Sequence, residues 1–129
     1  LKIDNILFKD GKINSDLLDK IACERADSFP DKGISSGQLR RFFKELKDSY
    51  NRLWNREDYK DLYPLIKMIK SQAYYAYNRK KIKKIFADFI TGLIDSINED
   101  VKTFEVVTMH FEAVVGFMYG KGKVSKWNW

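Results

Sequence analysis

The fold class of this chain is decided by residues 35–56, SSGQLRRFFKELKDSYNRLWNR. Apolar side chains recur through this stretch every three or four residues, which is the spacing of one face of an α-helix. They are Leu39, Phe42, Phe43, Leu46, Tyr50, Leu53 and Trp54. Ser35 followed by Gln38 has the spacing of a capping box, so the helix is expected to begin there. The stretch therefore predicts a long amphipathic helix that packs on other helices.

The segments near the two ends of the chain also have helical spacing. A short helix is predicted from Asn14 or Ser15, either of which suits a helix cap, to about Asp27. The last helix is predicted between Thr103, as its cap, and Gly120, which favours a helix end. Its residues are apolar on most sides, so we expect it at the centre of the fold or at an interface.

The middle of the chain leaves two arrangements open. Residues 58–61 are interpreted as a polar linker, and Pro64 suits the first turn of a helix, where its missing N–H costs nothing. Neither glycine nor proline separates Pro64 from Gly92. The chain therefore either kinks near Asn78 into two packed helices or continues as one long helix. A straight helix would carry its second half away from its own core and favour exchange of that segment in a dimer.

Together these segments predict an all-α fold, a single-domain bundle of about five helices over residues 14–120. In the second arrangement, one long helix is exchanged in a dimer. Residues 1–13 are expected to form an extended amino-terminal arm, although Asp10-Gly11 would also suit a small hairpin. Residues 121–129, KGKVSKWNW, are expected to be a flexible, basic tail that contains Trp127 and Trp129. At 129 residues, 44% of them hydrophobic, the chain suffices for one packed core.

The positive charge of the chain is concentrated in its middle. The net charge is +6, and residues 40–84 alone hold 14 basic against 5 acidic residues. Residues 85–120 hold a single basic residue, Lys102, against six acidic ones. A basic middle suits a polyanion such as nucleic acid, and an acidic segment suits a basic protein neighbour.

The residue types that carry chemistry do not assemble a catalytic site. His110 is the only histidine and is interpreted as structural, and a closed zinc site needs about four ligands. Cys23 is the only cysteine, which excludes a disulfide framework. The sequence has neither a Walker loop nor a GxGxxG fingerprint, and no apolar run reaches the length of a membrane span. We therefore expect a non-catalytic cytoplasmic protein without metal or cofactor.

Two rows of basic residues are candidates for binding a polyanion. On the helix of residues 35–56, Arg40, Lys44 and Lys47 follow one another at spacings of four and three, with Arg41 on the other flank. On the next helix, if it is continuous, cations and rings share one row: Lys67, Lys70, Tyr74, Tyr77, Lys81 and Lys84. Cations that follow phosphates and rings that stack on bases are typical of single-stranded nucleic-acid grooves. A solvated helical face is the alternative interpretation of both rows.

Three blocks of the sequence resemble the small subunit of type III-A CRISPR effector complexes, the Csm small subunit. The blocks are residues 33–41 (GISSGQLRR), 70–79 (KSQAYYAYNR) and 104–119 (FEVVTMHFEAVVGFMY). Their order and spacing agree with that family over about residues 33–120. One departure is Asn78, at a position where relatives often have glycine before the arginine.

The resemblance implies an all-helical, non-enzymatic subunit of an interference ribonucleoprotein. Copies of such a subunit line the inside of the effector filament and hold the guide–target duplex, chiefly through contacts with the target RNA strand and independently of its sequence. The expected partners are thus single-stranded target RNA and the guide–target duplex. Target cleavage belongs to the backbone subunit, and DNA cleavage and cyclic oligoadenylate synthesis belong to the large subunit. Arg40, Lys70 and Arg79 match basic positions of the family blocks. With the residues taken from the two rows, the predicted RNA-binding set is Arg40, Arg41, Lys44, Lys47, Lys67, Lys70, Arg79, Lys80 and Lys83.

Two other functions remain as alternatives. A helical protein–protein adaptor with no direct nucleic-acid role would use the acidic residues 85–120 and the apolar last helix, and its basic rows would be a solvated face. A small helical ribonuclease is the more distant alternative. Such enzymes are built on an arginine shortly before a histidine, and no arginine occurs in the thirty residues before His110.

Overall fold

The computed structural model describes residues 3–126, and it is mainly helical. The α-helices of that range are α1 (Lys20–Asp27), α2 (Ser36–Trp54), α3 (Tyr59–Lys67), α4 (Ile69–Asn78), α5 (Lys84–Asp95) and α6 (Val101–Gly120). Four two-residue strands accompany them: β1 (Phe8–Lys9), β2 (Lys12–Ile13), β3 (Ile34–Ser35) and β4 (Val124–Ser125). Only Met68 lies between α3 and α4, so these two form one bent segment. The predicted all-α bundle of about five helical segments is confirmed.

The helix α2 begins where its sequence predicts. Ser35 Oγ accepts a hydrogen bond from the Gln38 N–H at 3.2 Å, which is one half of the predicted capping box. The other half is not formed, because Gln38 Oε1 is buried without a partner among the described residues. Leu39, Phe42 and Leu46 are fully buried along one face. Burial of this stripe therefore holds α2 against the rest of the bundle.

The helix α6 lies at the centre of the bundle and runs antiparallel to α2. Ser36, in the first turn of α2, shares a hydrogen bond of 2.8 Å with Tyr119 near the end of α6. At the opposite end, the Tyr50 ring packs on Phe104 with their centroids 6.2 Å apart. Because α6 also packs on α1, it has neighbours on several sides, as its broadly apolar sequence predicts.

A turn joins α4 to α5, and the two helices pack on each other within one chain. The helix α4 ends at Asn78, and Lys80 follows with a left-handed φ of 61°. This conformation costs a non-glycine residue about 1–2 kcal/mol. Burial of Ile82 and Phe86 just after the turn offsets that cost. The kinked arrangement is thus observed and the straight helix is not, whereas exchange of this segment in a dimer stays a prediction.

Two predicted helix starts are wrong because nearby aspartates cap the helices instead. Asp58 Oδ1 accepts the Lys60 N–H at 3.0 Å, so α3 begins at Tyr59 and residues 58–61 are not a linker. Pro64 consequently lies inside α3 rather than in its first turn. Asp100 caps α6 in the same way, three residues before the predicted Thr103.

The predicted first helix is divided into two parts. Asn14 does act as a cap, but the turn that it begins is a short 3-10 segment, Ser15–Leu18. The helix α1 itself begins at Lys20. Leu17, Ala22 and Ala26 are buried, so both parts pack against the core.

Residues 3–13, predicted as part of an extended arm, pack onto the bundle instead of extending from it. The strands β1 and β2 form an antiparallel hairpin around Asp10 and Gly11, both with positive φ. Ile3 and Leu7 are buried, and the Ile3 N–H donates to Ser96 Oγ at 2.7 Å. Of the two alternatives for this segment, the hairpin is therefore observed.

Residues 121–126, predicted as part of a flexible tail, are hydrogen-bonded to the segment before α2. The strands β3 and β4 pair in parallel, with Ile34 opposite Val124. The Gly33 N–H donates to the Lys123 carbonyl at 3.0 Å. The remainder of the predicted tail, with Trp127 and Trp129, lies outside the described residues.

Replacing Gly33 with alanine is expected to lower the free energy of unfolding by about 1–3 kcal/mol. A methyl group there would overlap the Pro30 ring and lie 2.8 Å from the Pro30 carbonyl oxygen. Urea unfolding followed by circular dichroism measures the effect. The control is Gly116→Ala on α6, where a methyl group meets nothing within 4 Å and should be neutral or stabilising. Equal stability of the two variants would contradict the prediction.

Candidate nucleic-acid interface

The first group of predicted RNA-binding residues lies on the outer side of α2. Arg40 and Arg41 are exposed, and neither forms an ion pair with any of residues 3–126. Lys44 Nζ lies 2.7 Å from Asp48 Oδ2, one helical turn further along. The hydrogen bond with Asp48 raises the pKa of Lys44. Lys47 pairs with Glu112 of α6 at 2.9 Å. Exposed ion pairs of this kind contribute little to stability, so both lysines can exchange a carboxylate for a phosphate.

A shallow depression runs along this side of α2. Its volume is about 600 Å³, and it is lined by Gly37, Arg40, Arg41, Phe43, Lys44, Lys47 and Asp48. The α2 row of the sequence analysis is therefore brought together in one surface.

The second group surrounds the turn between α4 and α5. The Arg79 guanidinium lies 5.4 Å from the centre of the Tyr75 ring and donates to the Tyr75 hydroxyl at 2.9 Å. Lys80 and Lys83 are exposed. A concavity of about 420 Å³ lies beside them, lined by Tyr77, Asn78, Lys80, Lys81, Ile82 and Lys83. The ring contact fixes the direction of Arg79 without neutralising its charge.

The two groups lie toward the same end of the bundle. Phe86, the third residue of α5, packs against Phe42 in the first half of α2, with ring centroids 5.8 Å apart. The start of α5 and the amino-terminal half of α2 therefore lie toward the same end of the bundle. We use the name basic end for the five predicted residues here that have no carboxylate partner among residues 3–126. They are Arg40, Arg41, Arg79, Lys80 and Lys83.

Lys67 and Lys70 belong to a different environment, because α5 holds both of their ammonium groups. Lys67 Nζ donates to the carbonyl oxygens of Ile94 at 2.8 Å and Ile97 at 2.6 Å. Ile94 lies in the last turn of α5 and Ile97 lies two residues beyond its end, and the carboxyl end of a helix attracts cations. Lys70 pairs with Asp95 at 2.8 Å, which raises its pKa. Lys67 of α3 and Lys70 of α4 therefore connect these helices to α5. The predicted row of cations and rings is not continuous, because the chain turns after Asn78.

Replacing Lys67 with methionine is expected to destabilise the protein by about 1–3 kcal/mol, because two carbonyls would lose a charged donor. Methionine keeps most of the aliphatic stem, so lost packing contributes little. Lys60→Met, at an exposed position of the same helix, is the matched control. Chemical denaturation of both variants provides the measurement. If their midpoints are equal, the contacts to Ile94 and Ile97 do not stabilise the fold.

His110 is placed as a structural residue. It is fully buried, and its Nδ1 lies 2.6 Å from the Leu17 carbonyl, to which it must donate. Burial lowers the pKa of His110, so the ring is neutral. Residues 3–126 contain no cluster of three or more histidine, cysteine, aspartate or glutamate side chains that could hold a metal.

Two supporting pairs were missed by the sequence analysis although their spacing shows them. Tyr75 lies four residues before Arg79, and Lys84 lies four residues before Asp88. Side chains four apart on a helix are neighbours, so both contacts follow from sequence once the helix ends are known. The contacts of Lys67 and Lys70 have no such local pattern, because their partners come from another helix.

The fold and surface define a small, all-α protein in which a group of cations at one end has no carboxylate partner among residues 3–126. Within residues 3–126, no helix has the combined length and apolarity needed to cross a membrane. The class is that of a small all-α helical protein with a basic end.

The family model Csm2 Type III-A matches residues 12–121, and the chain belongs to that family. It is a structural subunit of a type III-A CRISPR complex, and it associates with the other subunits of the effector complex. The resemblance identified from the three sequence blocks is thus confirmed. No curated protein and no solved structure matches the chain significantly.

Proposed function

We propose that this subunit binds single-stranded target RNA within the complex, independently of sequence, and catalyses no reaction itself. The observation that carries the proposal is the basic end, where five cations from two elements lack carboxylate partners among residues 3–126. A cation that is not already paired can neutralise a phosphate and release a counterion, which drives binding to nucleic acid. Contacts to phosphates fix the position of a strand without reading its bases.

Lys44 and Lys47 extend this surface, because their exposed carboxylate partners compete only weakly with phosphate. Lys67 and Lys70 are assigned a smaller part in RNA binding than the sequence analysis gives them. Their ammonium groups would have to leave α5 before they could reach a phosphate. The guide–target duplex would be held through its target strand by the same surface.

The opposite end of the bundle supports contacts with protein neighbours. The start of α3 and the loop before α6 meet there, because the Tyr59 hydroxyl donates to the Asn98 carbonyl at 2.7 Å. Five acidic residues lie here, against the three basic residues Arg56, Lys60 and Lys102: Glu57, Asp58, Asp61, Glu99 and Asp100. We propose that this acidic end contacts a basic neighbour, with copies of the subunit following one another along a filament in the cytoplasm. An exchanged homodimer of the isolated protein would be revealed by light scattering.

A protein–protein adaptor is the second candidate function, and one observation favours it. Trp54, at the acidic end, is 68% exposed. Large aromatic side chains are enriched at protein–protein interfaces relative to the rest of the protein surface. Under this alternative the basic end would have no ligand.

Binding of unrelated single-stranded RNAs over a range of salt concentrations separates the two candidates. We expect equal affinity for RNAs of equal length, with the logarithm of the association constant falling by about 0.7 per phosphate for each logarithmic unit of salt. An adaptor would bind none of them, and a ribonuclease would shorten end-labelled RNA during the incubation. Strong discrimination between sequences would contradict phosphate binding as the mechanism.

A further inference from the structure

A slot with two tyrosine rings lies between α4 and α5, beside the basic end. Its volume is about 250 Å³, and it is lined by Tyr74, Tyr77, Lys84, Ala87, Asp88 and Thr91. Tyr74 is 64% exposed and Tyr77 is 46% exposed. The bundle leaves these rings in solvent, so packing of the core does not account for their position.

The wall that α5 contributes to the slot carries no net charge. Lys84 Nζ pairs with Asp88 Oδ2 at 2.9 Å, and this contact raises the pKa of the lysine. The Thr91 hydroxyl donates to the Asp88 carbonyl at 3.1 Å. Since the one cation and the one anion of the slot neutralise each other, the slot suits a flat, uncharged ring better than it suits a phosphate.

Tyr77 connects the slot with the basic end. It lines the slot and also the concavity formed with Lys80 and Lys83. A nucleotide carries a phosphate and a base on one sugar, so a strand held by its phosphate at these lysines presents the adjoining base to the slot. Every base has a π-face, and stacking on tyrosine therefore tolerates any sequence.

We propose that this slot receives an unpaired base of the bound RNA, stacked on Tyr74 or Tyr77. The inference rests on the proposed function and adds to it that the ligand must be single-stranded at this point. Bases inside an A-form duplex are stacked on each other, and their faces are not accessible to a protein side chain.

The test compares a short single-stranded RNA with a strand of equal length that lacks bases, using fluorescence anisotropy and the full chain. The unchanged protein is expected to prefer the strand with bases by about fivefold or more. The Tyr74→Leu, Tyr77→Leu variant should lose this preference and keep its affinity for the abasic strand. The Tyr74→Phe, Tyr77→Phe variant retains both rings and should keep the preference. Trp54→Leu, at the opposite end, should leave it unchanged.

The failures of the two proposals are distinguishable. Equal affinity of the unchanged protein for both strands would contradict base binding in the slot and leave the proposal of phosphate binding in place. Absence of binding to either strand overturns both proposals. A preference that survives in the leucine variant shows that bases are bound elsewhere. Crosslinking of 5-iodouridine RNA to the unchanged chain gives a readout without substitutions: crosslinks at Tyr74 or Tyr77 are expected, and crosslinks only at other positions overturn the slot.

Discussion

Reversal of three cations at the basic end, Arg40→Glu, Arg79→Glu and Lys83→Glu together, is expected to abolish RNA binding at physiological salt. Each reversal removes a phosphate contact and places a carboxylate where the phosphate would lie. Binding that persists at lower salt should depend less on the salt concentration. If each cation neutralises one phosphate, the slope of log K against log salt should decrease in magnitude by about 2. All three side chains are exposed, so the fold should be retained and circular dichroism should be unchanged.

The matched control for this variant reverses three cations at the opposite end: Arg56→Glu, Lys60→Glu and Lys102→Glu. Arg56 lies between α2 and α3, and Lys60 and Lys102 lie at the starts of α3 and α6. The change in net charge is identical. An affinity close to that of the unchanged protein is expected, because only long-range attraction is reduced. If the two triple variants lose affinity equally, total charge rather than the basic end determines binding.

The largest expected effect on stability comes from Phe86→Ala. Phe86 is nearly fully buried and meets three other rings: Phe29 and Phe42 at 5.9 and 5.8 Å, and Phe89 at 6.0 Å between ring centroids. These rings come from the segment after α1, from α2 and from α5 itself, so truncation leaves a cavity where three parts of the chain meet. A cost of about 3–5 kcal/mol is expected, which lowers the melting temperature by about 10 °C or more.

Differential scanning calorimetry measures this effect, with Ile85→Ala as the control. Ile85 is the preceding residue of the same helix but is exposed, so its truncation should cost far less. Similar melting temperatures for the two variants would show that Phe86 does not join these elements. Because Phe86 follows the turn after α4, its loss should also weaken the folded-back arrangement of α5. Light scattering of the same variant would then report any increase in exchanged dimer.

The long helix α2 could be predicted from sequence because its information is local. An apolar stripe and the hydroxyl of Ser35 both lie within the segment and agree with each other. The start of α3 was less predictable because two residues compete there. Asp58 suits a cap and Pro64 suits a first turn, and they are six residues apart. The structure favours the cap, although Pro64 then removes one hydrogen bond from inside the helix.

The turn after α4 could not be decided from sequence because it lacks the usual residues. Lys80 occupies a left-handed position at which glycine would cost nothing. The helix propensity of the local residues therefore favours a straight helix. The turn forms because it allows rings that are distant in sequence to be buried together. The same dependence on distant contacts separates the basic residues. Arg79 and Lys67 look alike in sequence, yet Arg79 has no carboxylate partner among residues 3–126, whereas Lys67 binds one carbonyl of α5 and one just beyond its end.

The parallel pair of β3 and β4 affects the order in which this protein folds. It joins residues 34–35 to residues 124–125, so the intervening helices lie within the loop that it closes. Contacts between residues so distant in sequence form slowly, because the chain must first lose the entropy of that loop. On the ribosome, Ile34 and Ser35 have no strand partner until the last helix has been synthesised. We therefore expect the bundle to assemble before this pairing, so that the pairing completes the fold rather than nucleating it.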